Sequence, residues 1–261
     1  MSEAQVGFRV AIPARYASTR LPGKPLKLLA GRPLIEQVYR RALASGALEV
    51  VIATDDPRIR EAAEGFGATV CMTAPDHPSG TDRLAEVADQ RGWPDEAIIV
   101  NVQGDEPQMP PALVHRVAAE LENHPDAGIA TLCTRIHDPA EVFDPNVVKV
   151  VRDARGDALY FSRAPIPWNR ETFQDGGGTG CSTLPAGVAY WRHIGLYAYR
   201  AAVLRRYPRL ALAPAERAEA LEQLRALWHG IRVYVAETAE APPPGVDTEA
   251  DLARVAAAWE C

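Results

Sequence analysis

Three cationic residues stand close together near the start of the chain, in a loop rich in small residues. Ala14, Arg15, Arg20 and Lys24 follow an apolar run that ends at Pro13. Small residues let backbone N–H groups approach phosphate oxygens, and arginine and lysine side chains neutralise the phosphate charge. The spacing therefore favours polyphosphate binding, with a nucleoside triphosphate as the prime candidate. A solvated basic loop explains the pattern about equally well, because neither a Walker A motif nor G-x-G-x-x-G is present.

Two aspartates could supply the carboxylates that nucleotidyl transfer needs. Asp105 follows a buried-strand pattern, and Asp247 lies far along the chain in a polar turn. Mg²⁺ takes oxygen ligands, typically one or two carboxylates together with phosphate oxygens and water. It offsets polyphosphate charge and orients the nucleophile. Each aspartate also has a structural interpretation. Asp105 could be a turn residue. Asp247 or Thr248 could cap a last helix that has Asp251 in its first turn.

A third cluster of candidate residues runs from Asp76 to Arg83 and leads into a helical pattern. Ser79 or Thr81 is a good cap for that helix. In the alternative interpretation, exposed N–H groups, a hydroxyl and Arg83 cradle the base and ribose of a nucleotide. None of the six histidines shows metal-ligand spacing, and no Ser-His-Asp or Cys-His arrangement has a recognisable local context.

Composition limits the classes of function. The 261 residues are 47% hydrophobic, enough for one large domain or two small ones. A net charge of −6 argues against a broad nucleic-acid surface. Four cysteines with no C-x-x-C pair argue against zinc and disulfides and favour a reducing cytoplasm. No signal peptide is recognisable, and no apolar run approaches the roughly 18 residues of a membrane span. We expect a soluble cytoplasmic protein without nucleic-acid or membrane partners.

Strand-like and helical segments alternate through the first half of the chain. The apolar runs that we predict as strands are Phe8–Ile12, Glu49–Thr54, Ala68–Met72, Ala97–Val102 and Gly128–Thr134. Amphipathic helices are predicted between several of them, one with Leu34, Ile35, Val38 and Ala42 on its apolar face. This alternation predicts an α/β fold with a mostly parallel twisted sheet and flanking helices. Ligands bind beyond the carboxyl ends of the strands in such sheets, which is where Arg15 and Asp105 lie.

The pattern changes from about residue 146. We predict a hairpin from Val147–Val151 and Ala158–Phe161, and a strand that ends at 195–199. One helix is predicted from about Pro214, with an apolar face made by Ala220, Leu221, Leu224, Leu227 and Trp228. A strand at Ile231–Ala236 and a helix at Thr248–Trp259 follow, and the glycine-rich stretch Gly176–Gly180 is predicted as a flexible loop. We expect one domain over 1–261, with a nucleotide-binding half to about 145, a smaller mixed elaboration over about 146–230, and a return to the core at 231–261.

Taken together and in order, the motifs resemble those of the 3-deoxy-manno-octulosonate cytidylyltransferase family. The matching segments span nearly the whole chain and are Pro13–Pro25, Ser79–Arg83, Asn101–Pro107, Tyr160–Arg163, Arg192–Tyr197, Leu221–Arg225 and Gly245–Thr248. The resemblance implies a nucleotide-diphospho-sugar-transferase-like fold, a homodimer, magnesium dependence and a cytoplasmic role in bacterial lipopolysaccharide synthesis. The family reaction joins CTP and 3-deoxy-D-manno-octulosonate (Kdo) to give CMP-Kdo and pyrophosphate.

The resemblance also implies roles for individual residues. Arg15 and Lys24 would hold the triphosphate beside Ala14, with Arg20 as a weaker candidate. Ser79, Gly80 and Arg83 would contact the cytidine end. Asp105 and Asp247 would share the catalytic magnesium ion and, with Lys24 and Arg15, form the catalytic set. The residues expected to contact the sugar are Gln103, Arg163, His193, Tyr197 and Gln223, each of which would otherwise be interpreted as a core or surface residue.

Rival interpretations differ in substrate or in class. The segment over about 171–189 looks longer than the family's usual connection, and it leaves an 8-amino relative of Kdo open as the sugar. A sugar-1-phosphate nucleotidyltransferase or a sialic-acid cytidylyltransferase would use related chemistry. A non-catalytic nucleotide-binding protein is a different class, and a dinucleotide-dependent dehydrogenase is disfavoured because the first strand–helix turn lacks the glycine fingerprint.

Overall fold

A computed structural model describes residues 6–17, 20–173, 183–239 and 241–259. Contacts divide the chain into two compact units. Unit 1 comprises Met1–Asn123, Leu196–Pro208 and Pro242–Cys261, and unit 2 comprises His124–Gly195 and Arg209–Ala241. No helix among the described residues is long and apolar enough to cross a membrane.

The elements are numbered in chain order. The strands are β1 (Phe8–Ala14), β2 (Leu28–Leu29), β3 (Arg32–Pro33), β4 (Glu49–Thr54), β5 (Thr69–Met72), β6 (Ile98–Asn101), β7 (Ile129–Arg135), β8 (Lys149–Arg152), β9 (Ala158–Ser162), β10 (Trp191–Arg200) and β11 (Val233–Thr238). The helices are α1 (Leu34–Leu43), α2 (Pro57–Gly65), α3 (Gly80–Gln90), α4 (Pro111–Asn123), α5 (Pro139–Phe143), α6 (Ala201–Arg206), α7 (Pro214–Glu219), α8 (Gln223–Trp228) and α9 (Glu249–Trp259).

Unit 1 is built on a mostly parallel sheet, as the sequence predicts. β1 lies between β4 and β6 and is parallel to both, and β5 continues the sheet beyond β4. The final residues of β10, 197–200, run antiparallel to β6. Because β4 and β6 flank β1 on opposite sides, the loops that leave β1 and β6 open a crevice at their carboxyl ends, where open α/β sheets bind ligands.

Side-chain type explains why the elements of unit 1 form where they do. Phe8, Val10, Ala11 and Ile12 have no solvent exposure, as expected for a parallel strand covered on both faces. The predicted apolar face of α1 is confirmed, since Leu34, Ile35, Val38 and Ala42 are all fully buried. Asp56 caps α2 and Ser79 caps α3, each accepting a backbone N–H bond from the first turn of its helix.

Unit 2 contains two pairs of strands. β7 and β11 are parallel, whereas β8 and β9 form the predicted antiparallel hairpin. β8 also pairs with β10 through Lys149 and Arg192. An apolar cluster supports this unit and consists of Ile136, Val142, Val147, Phe173 and Tyr190.

The prediction of one helix from Pro214 is wrong, because the chain forms two short helices, α7 and α8. Ala220 ends α7 in a left-handed conformation with φ of 50°, which breaks the helical periodicity. Ala220 is exposed and Trp228 is 63% exposed, so neither belongs to a buried apolar face. A buried ion pair between Arg225 and Glu216, with atoms 2.6 Å apart, links the two helices instead. Gly176–Gly180 lies outside the described residues, as does part of the stretch 171–189.

Candidate active site

A cavity of about 370 Å³ lies in unit 1, beyond the carboxyl ends of β1 and β6. Seven residues that the sequence analysis singled out line it: Ala14, Arg15, Arg20, Lys24, Gln103, Asp105 and Asp247. The others are Pro13, Ala17, Pro25 and Gly104. The cationic loop and the two aspartates therefore share one cavity, although Asp247 is remote from the rest in sequence.

Lys24 joins the two aspartates. Its Nζ atom donates to Oδ2 of Asp105 at 2.7 Å and to Oδ1 of Asp247 at 3.1 Å. Arg20 reaches the same Asp247 oxygen at 3.0 Å. Burial lowers the pKa of the Lys24 ammonium, but the charges and hydrogen bonds of the two aspartates outweigh it, so the pKa is raised above its ordinary value. The lysine is therefore fully charged at neutral pH and holds both carboxylates near one point.

The Asp105 backbone is fixed from two sides. On one side, a Cβ atom at Gly104 would lie only 2.8 Å from the Pro13 carbonyl oxygen, so the loop after β6 packs directly on the end of β1. On the other, the Val246 amide donates to the Asp105 carbonyl at 2.8 Å, and a Cβ atom at Gly245 would be 3.0 Å from that same oxygen. Glycine at both positions therefore lets three chain segments meet around Asp105.

The cap of α9 determines where Asp247 stands. The Asp251 amide donates to Oγ1 of Thr248 at 3.2 Å, while Oδ2 of Asp251 accepts from the Thr248 and Asp247 amides at 3.0 and 3.2 Å. Thr248 and Asp251 thus form a reciprocal cap. The Thr248 hydroxyl also donates to Oδ2 of Asp251 at 2.8 Å, and this bond, followed by those from the Arg254 side chain and the Asp247 amide, lowers the pKa of Asp251 to about 2. The Asp247 carboxylate takes no part in the cap and faces Lys24.

Tyr16 supports the cationic loop from within. The Gly23 amide donates to the Tyr16 carbonyl at 3.3 Å, and a Cβ atom at Gly23 would lie 3.2 Å from the tyrosine ring. The guanidinium carbon of Arg58 lies 3.3 Å from the centre of the Tyr16 ring, a cation–π geometry. Asp56 fixes that guanidinium through bonds of 2.9 and 2.6 Å. The sequence analysis did not single out Tyr16, because its role depends on packing against a distant helix.

The predicted cytidine-binding residues are not among the residues that line this cavity. Ser79 is engaged as the cap of α3, and Gly80 packs on Pro13. The Arg83 side chain is fully buried, donates to Oγ1 of Thr73, and has Nη2 3.3 Å from Oδ1 of Asp55. Within the described residues, its Nε and Nη2 atoms have no hydrogen-bond partner. Arg83 is therefore a buried ion-pair partner of Asp55, and its role in nucleotide binding stays a prediction.

Glu106 follows Asp105 directly but does not line the cavity, and the sequence did not mark it as a candidate. Its Oε2 atom is shielded from solvent and has no hydrogen-bond partner in the described part of the chain. Burial and, to a lesser extent, the charge of Asp105 raise the pKa of Glu106 to about 8. Its place directly after Asp105 was the available signal, but only the packing reveals the burial that raises its pKa.

The predicted sugar-binding residues are distributed over both units. In unit 1, Gln103 lines the cavity, and Tyr197 on β10 is half-buried opposite Asn101 of β6. The others, Arg163, His193 and Gln223, belong to unit 2.

The three residues of unit 2 have different surroundings. Arg163 donates from Nε to the Glu219 carbonyl at 2.7 Å and from Nη1 to the Pro145 carbonyl at 2.9 Å. Burial lowers the pKa of His193 to about 3, so this ring is neutral at pH 7. Gln223 is 8% exposed at the start of α8, so its side chain is buried.

The donor set of the cavity fits a magnesium ion that arrives with a nucleotide. Among the described residues, no group of three or more His, Cys, Asp or Glu side chains could hold a metal ion by itself. Asp105 and Asp247 nevertheless each place an oxygen within 3.1 Å of the Lys24 ammonium, so two carboxylates already converge on a cation. Two carboxylates completed by phosphate oxygens and water are the usual environment of Mg²⁺.

Comparison with known sequences gives one family. A family model described as cytidylyltransferase matches residues 10–233. A protein of Halorhodospira halophila, named 3-deoxy-manno-octulosonate cytidylyltransferase, is 61% identical over 249 residues, which are 95% of each chain.

Solved structures extend the comparison. A structure of CMP:2-keto-3-deoxy-manno-octonic acid synthetase complexed with CTP has a TM-score of 0.87 and 44% identity, covering 97% of this chain and 98% of its own. A nucleotidyl transferase from Methanothermobacter, at 17% identity over 97% of this chain and 98% of its own, has a TM-score of 0.57 and supports the fold alone.

Proposed function

This chain belongs to the 3-deoxy-manno-octulosonate cytidylyltransferases within the cytidylyltransferase family, and we propose that it transfers CMP from CTP to Kdo, releasing pyrophosphate. The observation that carries the proposal is the meeting of Lys24, Asp105 and Asp247 in a cavity that also contains Arg15 and Arg20. This arrangement offers cations for a triphosphate and two carboxylates for its metal ion, side by side.

The cationic residues bind the triphosphate and stabilise the pyrophosphate that departs from it. Arg15, Arg20 and Lys24 line the cavity and carry three positive charges. Arginine can form paired hydrogen bonds with phosphate oxygens, and lysine acts as a point charge. Their charge counters the negative charge that grows on pyrophosphate as it leaves, and this electrostatic stabilisation is the main form of catalysis available to phosphoryl transfer.

Asp105 and Asp247 would hold the magnesium ion. When bound, the ion would neutralise phosphate charge and lower the pKa of the attacking hydroxyl. The two carboxylates orient the reactants because each is fixed by its backbone, Asp105 through Gly104 and Val246, and Asp247 through the cap of α9. Correct placement of this kind accounts for a large part of enzymatic rate enhancement.

The reaction forms one P–O bond and breaks another. The anomeric hydroxyl oxygen of Kdo attacks the α-phosphorus of CTP, and the bond from that phosphorus to the oxygen bridging the β-phosphate breaks. The hydroxyl proton passes to water, CMP-Kdo forms, and pyrophosphate departs with the bonding electron pair.

The sugar-binding residues divide by charge. His193 is neutral at pH 7, so it suits a hydroxyl group rather than a carboxylate. Arg163 keeps a guanidinium whose Nη2 atom makes no hydrogen bond within the described residues, and this group suits the Kdo carboxylate. Gln103, Tyr197 and Gln223 offer amide and phenol groups for the remaining hydroxyls.

The wider setting is also proposed. The family resemblance supports a homodimer and a role in lipopolysaccharide synthesis. A cytoplasmic location fits a chain with few cysteines and a substrate, CTP, that the cytoplasm supplies.

Pyrophosphate release from CTP tests the proposal directly. The assay contains Mg²⁺ or EDTA, with Kdo, 8-amino-Kdo, sialic acid or a sugar 1-phosphate as acceptor. We expect release only with Mg²⁺, and fastest with Kdo. The Asp105→Asn variant should lose turnover while keeping its fold, and Asp89→Asn, which changes a 65% exposed surface aspartate, serves as the control. If another acidic sugar is preferred, that sugar and not Kdo is the substrate. Full activity of Asp105→Asn would refute the assignment of Asp105 as a metal ligand.

A further inference from the structure

Lys24 and Arg20 form ion pairs with the two aspartates of the cavity. A single atom, Nζ of Lys24, contacts both carboxylates, at 2.7 Å from Asp105 and 3.1 Å from Asp247. Mg²⁺ bound by both carboxylates would need to lie about 2.0–2.1 Å from an oxygen of each. An ion bound to those same two oxygens would lie within about 5 Å of the ammonium nitrogen, so the two cations would repel each other strongly.

Lys24 is the cation that matters most for this exclusion. Its side chain is 14% exposed, whereas the Arg20 side chain, which also reaches Asp247, is 64% exposed. Exposed ion pairs contribute little because water and salt screen them. Within the described residues, Arg20 pairs with Asp247 but not with Asp105, so Asp105 is left to Lys24.

A triphosphate can draw the Lys24 ammonium group away from the two aspartates, because it offers the lysine another anion. The Lys24 side chain is a point charge on a flexible four-carbon stem, so its ammonium can turn toward phosphate without movement of the backbone. Both aspartate carboxylates would then lose their contact with the ammonium group at the moment when phosphate oxygens become available to complete a metal site.

We propose that Lys24 keeps divalent cations away from Asp105 and Asp247 until a nucleoside triphosphate binds its ammonium group. This inference rests on the proposed function, since it presumes that the aspartates bind the metal ion of CTP. Lys24 thereby makes metal binding depend on the nucleotide, in addition to its role in holding phosphate.

Mn²⁺ binding measures this coupling without any turnover. The free ion is followed by electron paramagnetic resonance during titration of the full-length protein, with and without CTP, and CTP alone in buffer corrects for its own metal binding. The variants are Lys24→Met, Lys24→Gln as a second neutral replacement, and Lys24→Arg, which retains a cation. Lys27→Met is the matched control, because Lys27 pairs with Glu249 at 2.7 Å and does not line the cavity.

Without nucleotide, we expect Mn²⁺ to bind Lys24→Met and Lys24→Gln about tenfold tighter, or more, than it binds the unchanged protein, because a divalent ion and an ammonium group repel strongly at such short distances. Lys24→Arg and Lys27→Met should bind Mn²⁺ as weakly as the unchanged protein. Adding Asp105→Asn to Lys24→Met should abolish the gain, which locates the ion at the carboxylates.

Two negative results have different meanings. If CTP raises Mn²⁺ affinity in the unchanged protein but neutral replacements of Lys24 do not raise it without CTP, the exclusion by Lys24 is wrong and the proposed function stands. If CTP raises Mn²⁺ affinity in none of the proteins, the metal site of the proposed function fails, and this inference fails with it.

Discussion

Replacement of Gly104 by alanine is a sharp test of how the backbone positions Asp105. An added Cβ atom would lie 2.8 Å from the Pro13 carbonyl oxygen, 3.5 Å from Cδ1 of Ile35 and 3.7 Å from Cβ of Ala14. Close carbon–oxygen contacts in proteins are normally about 3.3 Å or longer. The loop after β6 must therefore move away from β1 by about 0.5 Å, and Asp105, the next residue, must move with it.

The size of the effect follows from this displacement. Overpacking of a well-packed site typically costs about 1–3 kcal/mol, so the free energy of unfolding should fall by that amount. A misplacement of about 1 Å can cost about 100-fold in rate, so a shift about half as large should lower kcat roughly tenfold. The decrease should appear in kcat more than in the KM for CTP, because the cations that bind the triphosphate lie on a different segment.

Gly65→Ala is the matched control, because an added Cβ atom there meets no atom within 4 Å. Gly65 ends helix α2, where alanine is tolerated or slightly stabilising. Pyrophosphate release gives kcat and KM, and urea unfolding gives stability. If Gly104→Ala keeps both kcat and stability at the level of Gly65→Ala, the contact with Pro13 does not position Asp105, and the reasoning is refuted.

Three further predictions test other parts of the molecule. Tyr16→Ala should raise the KM for CTP, whereas Tyr16→Phe should have little effect, because the ring itself packs on Gly23 and Arg58; equal KM values for both variants would contradict this. The pKa of His193 is about 3 in the folded protein and 6.5 ordinarily, so its burial destabilises the fold only as the pH falls below 6.5. Between pH 7 and pH 4, urea unfolding should show the unchanged protein losing about 3 kcal/mol more unfolding free energy than His193→Gln loses. A difference in unfolding free energy between the two proteins that stays constant over this pH range would refute the prediction. Thr248→Ala should lower the unfolding free energy by about 1 kcal/mol through loss of the α9 cap, with Thr238→Ala, a half-buried threonine at the end of β11, as comparison.

The strands of unit 1 could be predicted because buried parallel strands are continuous apolar runs. Phe8–Ile12 was predicted as a strand and β1 extends it to Ala14, through a proline that still pairs with Ala53. The break between α7 and α8 could not be predicted in this way. It depends on a left-handed conformation at Ala220, a residue type that normally continues a helix.

Residue types identified the charged members of the site but not the contacts among them. Arg15, Lys24, Asp105 and Asp247 were all candidates from the sequence, and the structure brings them to one cavity. That one lysine contacts both aspartates follows from three segments meeting in space, which no local pattern encodes. The same holds for the packing of Gly104 on Pro13.

The motif at the start of α9 shows why a structural and a functional interpretation need not compete. The sequence offered Asp247 or Thr248 as the helix cap, and capping explained the motif as well as catalysis did. In the structure Thr248 and Asp251 cap the helix between them, and Asp251 also accepts the Asp247 amide at 3.2 Å. The cap therefore fixes the backbone of Asp247 while leaving its carboxylate for Lys24. Stability of the helix end and placement of the candidate metal ligand thus depend on the same hydrogen bonds, so weakening the cap should impair both.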